Sequence, residues 1–362
     1  MKRQIAILFL LLSLALPHFA QQADKIDEYV DSEMQKQHIP GLALLVIKDG
    51  QIVKAKGYGY ANVELKVPVT AETIFQSGSM GKQFTASAVM LLVQEGKLQL
   101  NDKVSKYLDG TPESWKDITI RHLLTHTSGI KNYSQKDLNF RLDYTEDELL
   151  KKAETFPLDF PPGTRWRYSN TGYQVLGILI GKISGSFYGD FLRERIFKPL
   201  AMNSTRIISE ADIVPNRAAG YDLIKGELKN QQYVSPSLNT TADGSLYFNI
   251  LDLARWDAAL YTEKVLSRAS LDQMWTVAAL NDGTPNPGKY GFGWAITAAQ
   301  GHKIIEHGGA WQGFRSNISR YVDDRMTIVV LANLSRANPE SISHHVAGLY
   351  VPAVMPQAEA AR

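Results

Sequence analysis

The two ends of this 362-residue chain carry strand patterns, and this arrangement limits the folds open to it. Near the start, residues 42–48 and 51–56 predict two strands joined by Asp49-Gly50, a dipeptide typical of two-residue hairpin turns. Four more strands are predicted near the end, over residues 291–296, 303–306, 316–321 and 327–331. Because strands must pair to satisfy their backbones, we expect one antiparallel sheet built from both ends of the chain.

Helical patterns fill the rest of the chain. Terminal helices are predicted over residues 26–37 and 339–349. The inner helical segments lie over residues 81–96, 117–124, 145–155, 173–183, 187–196 and 251–261. The predicted fold is therefore α+β, an α/β sandwich with a sheet part at about residues 21–75 and 288–351 and a mostly helical part at about 76–287. Residues 352–362 are expected to form a disordered tail.

The first 20 residues have the features of a cleavable export signal. Lys2 and Arg3 precede an apolar run, residues 5–16, that is too short to span a bilayer comfortably. Ala20 then offers a small residue suited to cleavage. We therefore expect a periplasmic or secreted protein that begins near Gln21 and keeps no stable membrane anchor.

Charge and cysteine content exclude several classes of site and partner. The formal net charge of +2 falls to about zero once Lys2 and Arg3 are removed, which gives no reason to expect nucleic acid as a partner. The chain has no cysteine, so disulfides, thiolate metal sites and cysteine nucleophiles are excluded. A hydrophobic content of 44% is sufficient for a large core without disulfides.

Ser79 and Lys82 stand three residues apart where the inner helical region begins. That spacing puts both side chains on one helical face, about one turn apart. A serine hydroxyl becomes a useful nucleophile when a base takes its proton, and a lysine can do so where burial keeps its amine neutral. The sequence therefore predicts an acyl-enzyme nucleophile at Ser79, in a cleft between the sheet part and the helical part.

A second group of candidates lies in a loop rich in Pro and Gly, at Tyr168 and Asn170. A tyrosine hydroxyl can relay a proton if cationic neighbours lower its pKa. The Asn170 amide can hold a substrate carbonyl or orient Lys82. Both side chains also fit a buried aromatic cluster in which they only satisfy backbone groups.

A third group follows the predicted strand 303–306. His307 precedes two glycines, which let another backbone approach a strand edge closely. Gly309 and Ala310 are candidate substrate contacts, and the Ala310 amide could join the Ser79 amide as an oxyanion hole. His307 is expected to bond within the network of Ser79 and its bases.

In this order, Ser-x-x-Lys, Tyr-x-Asn and His-x-Gly resemble the superfamily of serine β-lactamases and penicillin-binding proteins. The resemblance is strongest to the branch with class C β-lactamases, D-Ala-D-Ala carboxypeptidases, D-aminopeptidases and related esterases. It covers about residues 24–349, including the segments 122–130, 242–246, 252–256 and 290–294.

This resemblance implies a β-lactamase-like fold, a serine nucleophile at Ser79, and Lys82 with Tyr168 as the proton-handling pair. It leaves open which of the two is the acylation base. It implies a small-molecule or short peptide substrate, with no cofactor and no metal. The oligomeric state stays undefined.

The third motif departs from the pattern common among enzymes that act on β-lactams or on peptides with a C-terminal D-Ala. Gly308 stands where those enzymes often carry a threonine, whose hydroxyl binds the substrate carboxylate. We therefore expect an exported hydrolase of esters or of amides and peptides, preferring neutral acyl groups. The alternative is a β-lactamase or D-Ala-D-Ala carboxypeptidase, in which Arg315 would restore a carboxylate contact by pointing into the cleft.

The sequence also allows three other interpretations of its function. An α/β-hydrolase would use Ser77-Gly-Ser-Met-Gly81, which differs from the Gly-x-Ser-x-Gly motif only in having Ser77 in place of the first glycine. That fold also needs a strand leading into Ser79 and alternating strands and helices. A zinc site would use His122 and His126, which lack a third ligand and are better explained by helix capping or core packing. A receptor would be acylated at Ser79 without turnover.

Overall fold

The computed structural model describes residues 25–207 and 212–356. The strands are β1 (Gly41–Lys48), β2 (Gln51–Asn62), β3 (Val67–Pro68), β4 (Phe75–Gln76), β5 (Arg206–Ile207), β6 (Tyr221–Ile224), β7 (Glu227–Asn230), β8 (Leu246–Phe248), β9 (Ala295–Ala299), β10 (His302–Trp311), β11 (Phe314–Tyr321) and β12 (Met326–Ala332). The helices are α1 (residues 25–37), α2 (Lys82–Gln94), α3 (Ile120–Leu124), α4 (Glu146–Glu154), α5 (Asn170–Ser184), α6 (Tyr188–Leu192), α7 (Ile250–Ala259), α8 (Arg268–Met274) and α9 (Pro339–Tyr350).

Seven strands form an antiparallel sheet in the order β3-β2-β1-β12-β11-β10-β9, which confirms the sheet predicted from both chain ends. The ends meet where β1 pairs with β12, from Leu42 opposite Ala332 to Lys48 opposite Met326. The hairpin between β1 and β2 turns at Asp49-Gly50 with φ values of 51° and 77°. Two positive φ values in a two-residue turn match the right-handed twist of the flanking strands.

The sheet separates two cores. Along β12, Ile328 and Val330 pack on the side that α1 and α9 cover, whereas Val329 and Leu331 belong to the larger core shared with the helical part. This alternation is the period-two pattern of a strand buried on both faces. The sheet and the helical part therefore share one apolar interior, and the chain between β4 and β9 forms the second layer of the sandwich.

Several local predictions need correction. The predicted strand 291–296 is wrong, since β9 begins only at Ala295. Gly293 has φ +74°, and a Cβ there would lie 2.7 Å from the Lys82 carbonyl oxygen, so this segment packs against α2. The predicted helix 117–124 begins at Ile120, because Thr119 caps it by accepting a hydrogen bond from the His122 amide.

Short strands also occur inside the helical part, where only helices and loops were predicted. β4, β8 and β5 form a three-stranded sheet, and β6 and β7 form a hairpin. At the other end, Pro352–Val354 form a 3₁₀ turn with a buried Val354, so the predicted disorder does not extend to them. The predicted signal, residues 1–20, lies outside the described residues.

Hydropathy singles out no membrane-crossing helix among the described residues. The pair Asn170–Ser184 and Tyr188–Phe197 meets the length and composition criterion only when taken together across a bend of 76°.

Candidate active site

Ser79 lies in a 3₁₀ turn, Gly78–Gly81, that leads directly into α2. The turn is packed against the end of β10. An ideal Cβ on Gly78, which has φ +53°, would lie 2.4 Å from the Ala310 amide nitrogen, and one on Gly309 would lie 1.9 Å from the Ser77 carbonyl oxygen. Glycine is therefore required at both positions for β10 to approach the backbone of the nucleophile.

Lys82 is the first residue of α2, and its side chain is completely buried beside Ser79. Its Nζ lies 3.0 Å from the Ser79 Oγ and 2.7 Å from the Asn170 Oδ1, and it also contacts the carbonyl oxygen of Asp243. Burial lowers the pKa of Lys82 to about 7, although the Asp243 carboxylate acts to raise it. A large fraction of Lys82 is therefore neutral near pH 7.

Tyr168 presents the face of its ring to this amine, with Lys82 Nζ 4.9 Å from the ring centroid. Its buried hydroxyl interacts with the Ser79 side chain and has no other hydrogen-bond partner within the described part of the chain. Burial raises the pKa of Tyr168 above its usual range, although nearby Ser79 acts to lower it. The condition stated for proton relay, a pKa lowered by cationic neighbours, is therefore not met, and Tyr168 is a neutral phenol.

Asn170 takes one of the two roles that its amide allows, since its Oδ1 orients Lys82. It is the first residue of α5, which Ser169 caps by accepting a hydrogen bond from the Gly172 amide. The predicted helix start at residue 173 is thus three residues late.

His307 does not bond to Ser79, Lys82 or Tyr168, contrary to the expectation from the sequence. Its Nε2 lies 2.8 Å from the Tyr290 hydroxyl, and its Nδ1 lies 2.6 Å from the Gly308 carbonyl oxygen. Because that carbonyl only accepts, the proton sits on Nδ1 and Tyr290 donates to Nε2. Burial lowers the pKa of His307 to about 4, so the imidazole is neutral.

An open cleft of about 390 Å³ lies in front of Ser79, between β10 and the start of α9. We call it the Ser79 cleft; its lining includes Ser79, Tyr168, His307, Gly308, Gly309, Ala310, Arg315, Asn338 and Glu340. Arg315 lies opposite Ala310 on β11, where burial lowers its pKa and the charge of Asp222 acts to raise it. A Cβ on Gly308 would meet no described atom closer than 3.7 Å, so the cleft has room for a side chain there.

The sequence predicted no role in the hydrolase site for His126, Tyr290, Tyr133 or Asp243. The His126 ring packs on Tyr168 at a centroid distance of 4.1 Å and on Tyr290 at 4.6 Å, so it helps to hold both tyrosine rings in place. Asp243 and Tyr133 are joined by a hydrogen bond of 2.8 Å beneath Lys82. Three of the four lie in segments that carry the family resemblance, which was the only indication of their importance in the sequence. The resemblance assigned none of them a role.

The fold addresses two of the three alternative interpretations, the α/β-hydrolase and the zinc site. The seven-stranded sheet is antiparallel, whereas an α/β-hydrolase requires a mostly parallel sheet of alternating strands and helices. His122 closes the capping box of α3 and His126 is a core residue, as the capping and packing explanation predicted.

One group of described side chains could bring three metal-ligand atoms within 4.8 Å of one another, namely Glu306, Glu340 and His344. Glu306 already accepts hydrogen bonds from Thr297, Ser319 and His344. Its carboxylate is therefore satisfied by protein donors, and the other two residues belong to α9, from which His344 contacts Glu306.

Comparisons with known proteins agree with this geometry. Residues 26–350 match the model of the family described as Beta-lactamase. A penicillin-binding protein of Bacillus subtilis (strain 168) is 33% identical over 308 residues, which cover 80% of this chain and 67% of that protein. The chain spans about two thirds of the length of the curated relatives it matches.

Solved structures share the fold. The octameric penicillin-binding protein homologue from Pyrococcus abyssi superposes with a TM-score of 0.81 at 31% identity, over 91% of this chain and 77% of that one. A D-stereospecific amidohydrolase from Streptomyces sp. superposes with a TM-score of 0.71 at 26% identity, over 86% and 94% of the two chains.

Proposed function

Since the chain belongs to the β-lactamase family and is a serine hydrolase, we propose that it cleaves esters or amides and peptides through an acyl-enzyme at Ser79. The observation that carries this proposal is the contact of 3.0 Å between Ser79 Oγ and the buried Lys82 Nζ. Burial keeps this amine partly neutral near pH 7, which is the condition for it to accept the serine proton.

Lys82 is our candidate for the acylation base. A neutral amine has two N–H donors and one lone pair. The Asn170 Oδ1 and the Asp243 carbonyl oxygen only accept, so they take the two hydrogens and direct the lone pair towards the Ser79 hydroxyl. Tyr168, whose pKa is raised, is less suited to accept that proton and better suited to pass one to the leaving group.

The proposed reaction has two halves. Ser79 Oγ bonds to the substrate carbonyl carbon while its proton moves to Lys82 Nζ, and the amides of Ser79 and Ala310 stabilise the oxyanion. The bond to the leaving group then breaks, and the proton passes from Lys82 through Tyr168 to the departing oxygen or nitrogen. Water repeats these steps against the acyl-enzyme and releases the acid.

The first experiment measures steady-state turnover and intact mass for the wild type and Ser79→Ala. The substrates are p-nitrophenyl esters, D-amino-acid anilides, a D-Ala-D-Ala peptide and a chromogenic cephalosporin. We expect turnover of one class that disappears in Ser79→Ala, while the melting temperature is unchanged. Turnover that survives in the variant would overturn the nucleophile assignment, and a stable adduct on Ser79 without turnover would identify a covalent receptor instead.

A second candidate function is hydrolysis of β-lactams or D-Ala-D-Ala peptides, and Arg315 favours it. This partly buried cation lines the Ser79 cleft with Asp222 as its nearby charge, and a substrate carboxylate in the cleft would give it a second. This alternative requires that Arg315 point into the cleft, and its position in the lining supports that requirement. The presence of this cation is an argument against the predicted preference for substrates with neutral acyl groups.

Gly308→Thr and Arg315→Ala together test for a carboxylate site in the cleft. The cleft has room for the side chain, and a hydroxyl beside Arg315 would add a hydrogen bond to a carboxylate, which is worth roughly 10- to 100-fold in kcat/KM. We expect the variant to gain cephalosporin or D-Ala-D-Ala turnover, and Arg315→Ala to remove that gain. A Gly308→Thr enzyme with unchanged selectivity would argue against a carboxylate site at this position.

Export is part of the proposal. The basic start, the short apolar run and Ala20 in the first 20 residues favour a periplasmic or secreted protein. N-terminal sequencing of the protein recovered outside the cytoplasm tests this, and a chain beginning near Gln21 is the expected result.

A further inference from the structure

Asp243 lies against the nucleophile rather than in a free loop. An ideal Cβ on the next residue, Gly244, would lie 2.8 Å from the Gly78 carbonyl carbon and 3.2 Å from the Ser79 amide nitrogen. On the other side, Thr85 of α2 donates a hydrogen bond of 2.7 Å to the Ala242 carbonyl oxygen. The Asp243 backbone is therefore fixed by the elements that carry Ser79 and Lys82.

The Asp243 side chain is only 2% exposed and is poorly supplied with donors. Its Oδ2 accepts one hydrogen bond of 2.8 Å from the Tyr133 hydroxyl, and its Oδ1 has no partner within the described part of the chain. A buried carboxylate with a single neutral donor is costly unless a cation lies nearby. Lys82, whose amine contacts the Asp243 carbonyl oxygen, is the cation that this arrangement supplies.

The other titratable groups around Lys82 carry no charge near pH 7. Burial lowers the pKa of His126 well below its ordinary value and that of His307 to about 4, so both rings are neutral. Burial raises the pKa of Tyr168 and of Tyr173, so both are phenols. Burial raises the pKa of Tyr133 as well, and the Asp243 carboxylate adds to that shift.

We propose that Asp243 is a positioning residue for the reaction described above, which holds Lys82 with its backbone carbonyl and balances the charge of the amine with its carboxylate. The inference rests on the proposed function. Burial alone would keep Lys82 neutral but make it too weak a base to hold the serine proton. The carboxylate restores basicity, so that Lys82 accepts and returns a proton close to neutral pH.

The test measures how fast Ser79 reacts with a small neutral fluorophosphonate between pH 5 and 9, followed by intact mass. This probe needs no knowledge of the natural substrate. In the wild type we expect the rate to rise with pH as Lys82 loses its proton. In Asp243→Asn, which keeps the shape and the backbone carbonyl, we expect the midpoint to fall by roughly one pH unit, since a stabilising negative charge is lost.

Tyr133→Phe is the matched control, because it removes the hydrogen bond to Asp243 but keeps the carboxylate. Its midpoint should stay at or above that of the wild type. An Asp243→Asn midpoint that is unchanged or higher would overturn the proposal, as would an equal fall in Tyr133→Phe. A purely structural role would lower the maximal rate and leave the midpoint in place.

Two further controls complete the design. Ser79→Ala should not be labelled, and labelling of that variant at the wild-type rate would defeat the proposed function itself rather than the role of Asp243. If Asp243→Asn does not fold, Asp243→Ala replaces it with the same expected fall in midpoint. Failure of both variants to fold would assign the carboxylate to the fold and overturn the proposal.

Discussion

At the scale of single residues, the site depends on one buried amine. Lys82 is fully buried, makes contacts with three oxygen atoms and has a pKa of about 7. Hydrolysis should therefore rise with pH through about 7, because the protonated ammonium has no lone pair for the serine proton. A pH profile of kcat/KM measures this, and activity that is highest at pH 5 would exclude Lys82 as the base.

Substitution of Lys82 separates activity from stability. Lys82→Arg should lose activity by roughly 10³-fold, since a guanidinium stays charged and cannot act as the base. Lys82→Met should lose activity to the same extent without melting at a lower temperature, because it removes a polar group from a fully buried position. A large fall in the melting temperature of Lys82→Met would instead identify the amine as a structural element.

At the scale of elements, β10 packs closely against the turn that carries Ser79, and this packing requires that Gly309 has no side chain. Gly309→Ala should destabilise the fold by about 1–3 kcal/mol, because its Cβ would lie 1.9 Å from the Ser77 carbonyl oxygen and 2.3 Å from the Ser316 Oγ. Gly308→Ala is the matched control, with an expected change within about 0.5 kcal/mol. Urea denaturation of both variants measures this, and equal effects would contradict the packing argument.

At the scale of the whole molecule, one buried ion pair joins the helical part to the sheet. Arg320 of β11 donates through Nε to the Asp257 Oδ1 of α7 over 2.7 Å, and Thr327 of β12 donates to the same oxygen. Asp257→Ala should therefore cost about 3–5 kcal/mol of unfolding free energy, since it leaves Arg320 buried without a counter-charge.

The matched control is Glu113→Ala, which breaks an exposed pair with Lys116 and should cost less than about 0.5 kcal/mol. Denaturant titrations that follow tryptophan fluorescence and far-UV circular dichroism measure both variants. An Asp257→Ala protein as stable as the wild type would mean that the two layers do not depend on this pair.

The sequence alone indicated the strands at both chain ends and the candidate nucleophile with its lysine, because both depend on local spacing. Periodic apolar residues define strands and helices over a few turns, and Ser79 and Lys82 lie three residues apart where the 3₁₀ turn leads into α2. The hairpin at Asp49-Gly50 is local in the same sense. These features need no knowledge of distant contacts.

Only the tertiary structure decided the state of those residues. The low pKa of Lys82 comes from burial beneath segments far along the chain, and its orientation comes from Asn170 and Asp243, which are 88 and 161 residues away. His307 bonds to Tyr290 rather than to the catalytic candidates because the fold, not the spacing of motifs, selects its neighbours. Desolvation and long-range hydrogen bonds are properties of the packed chain, and spacing along the sequence carries no measure of them.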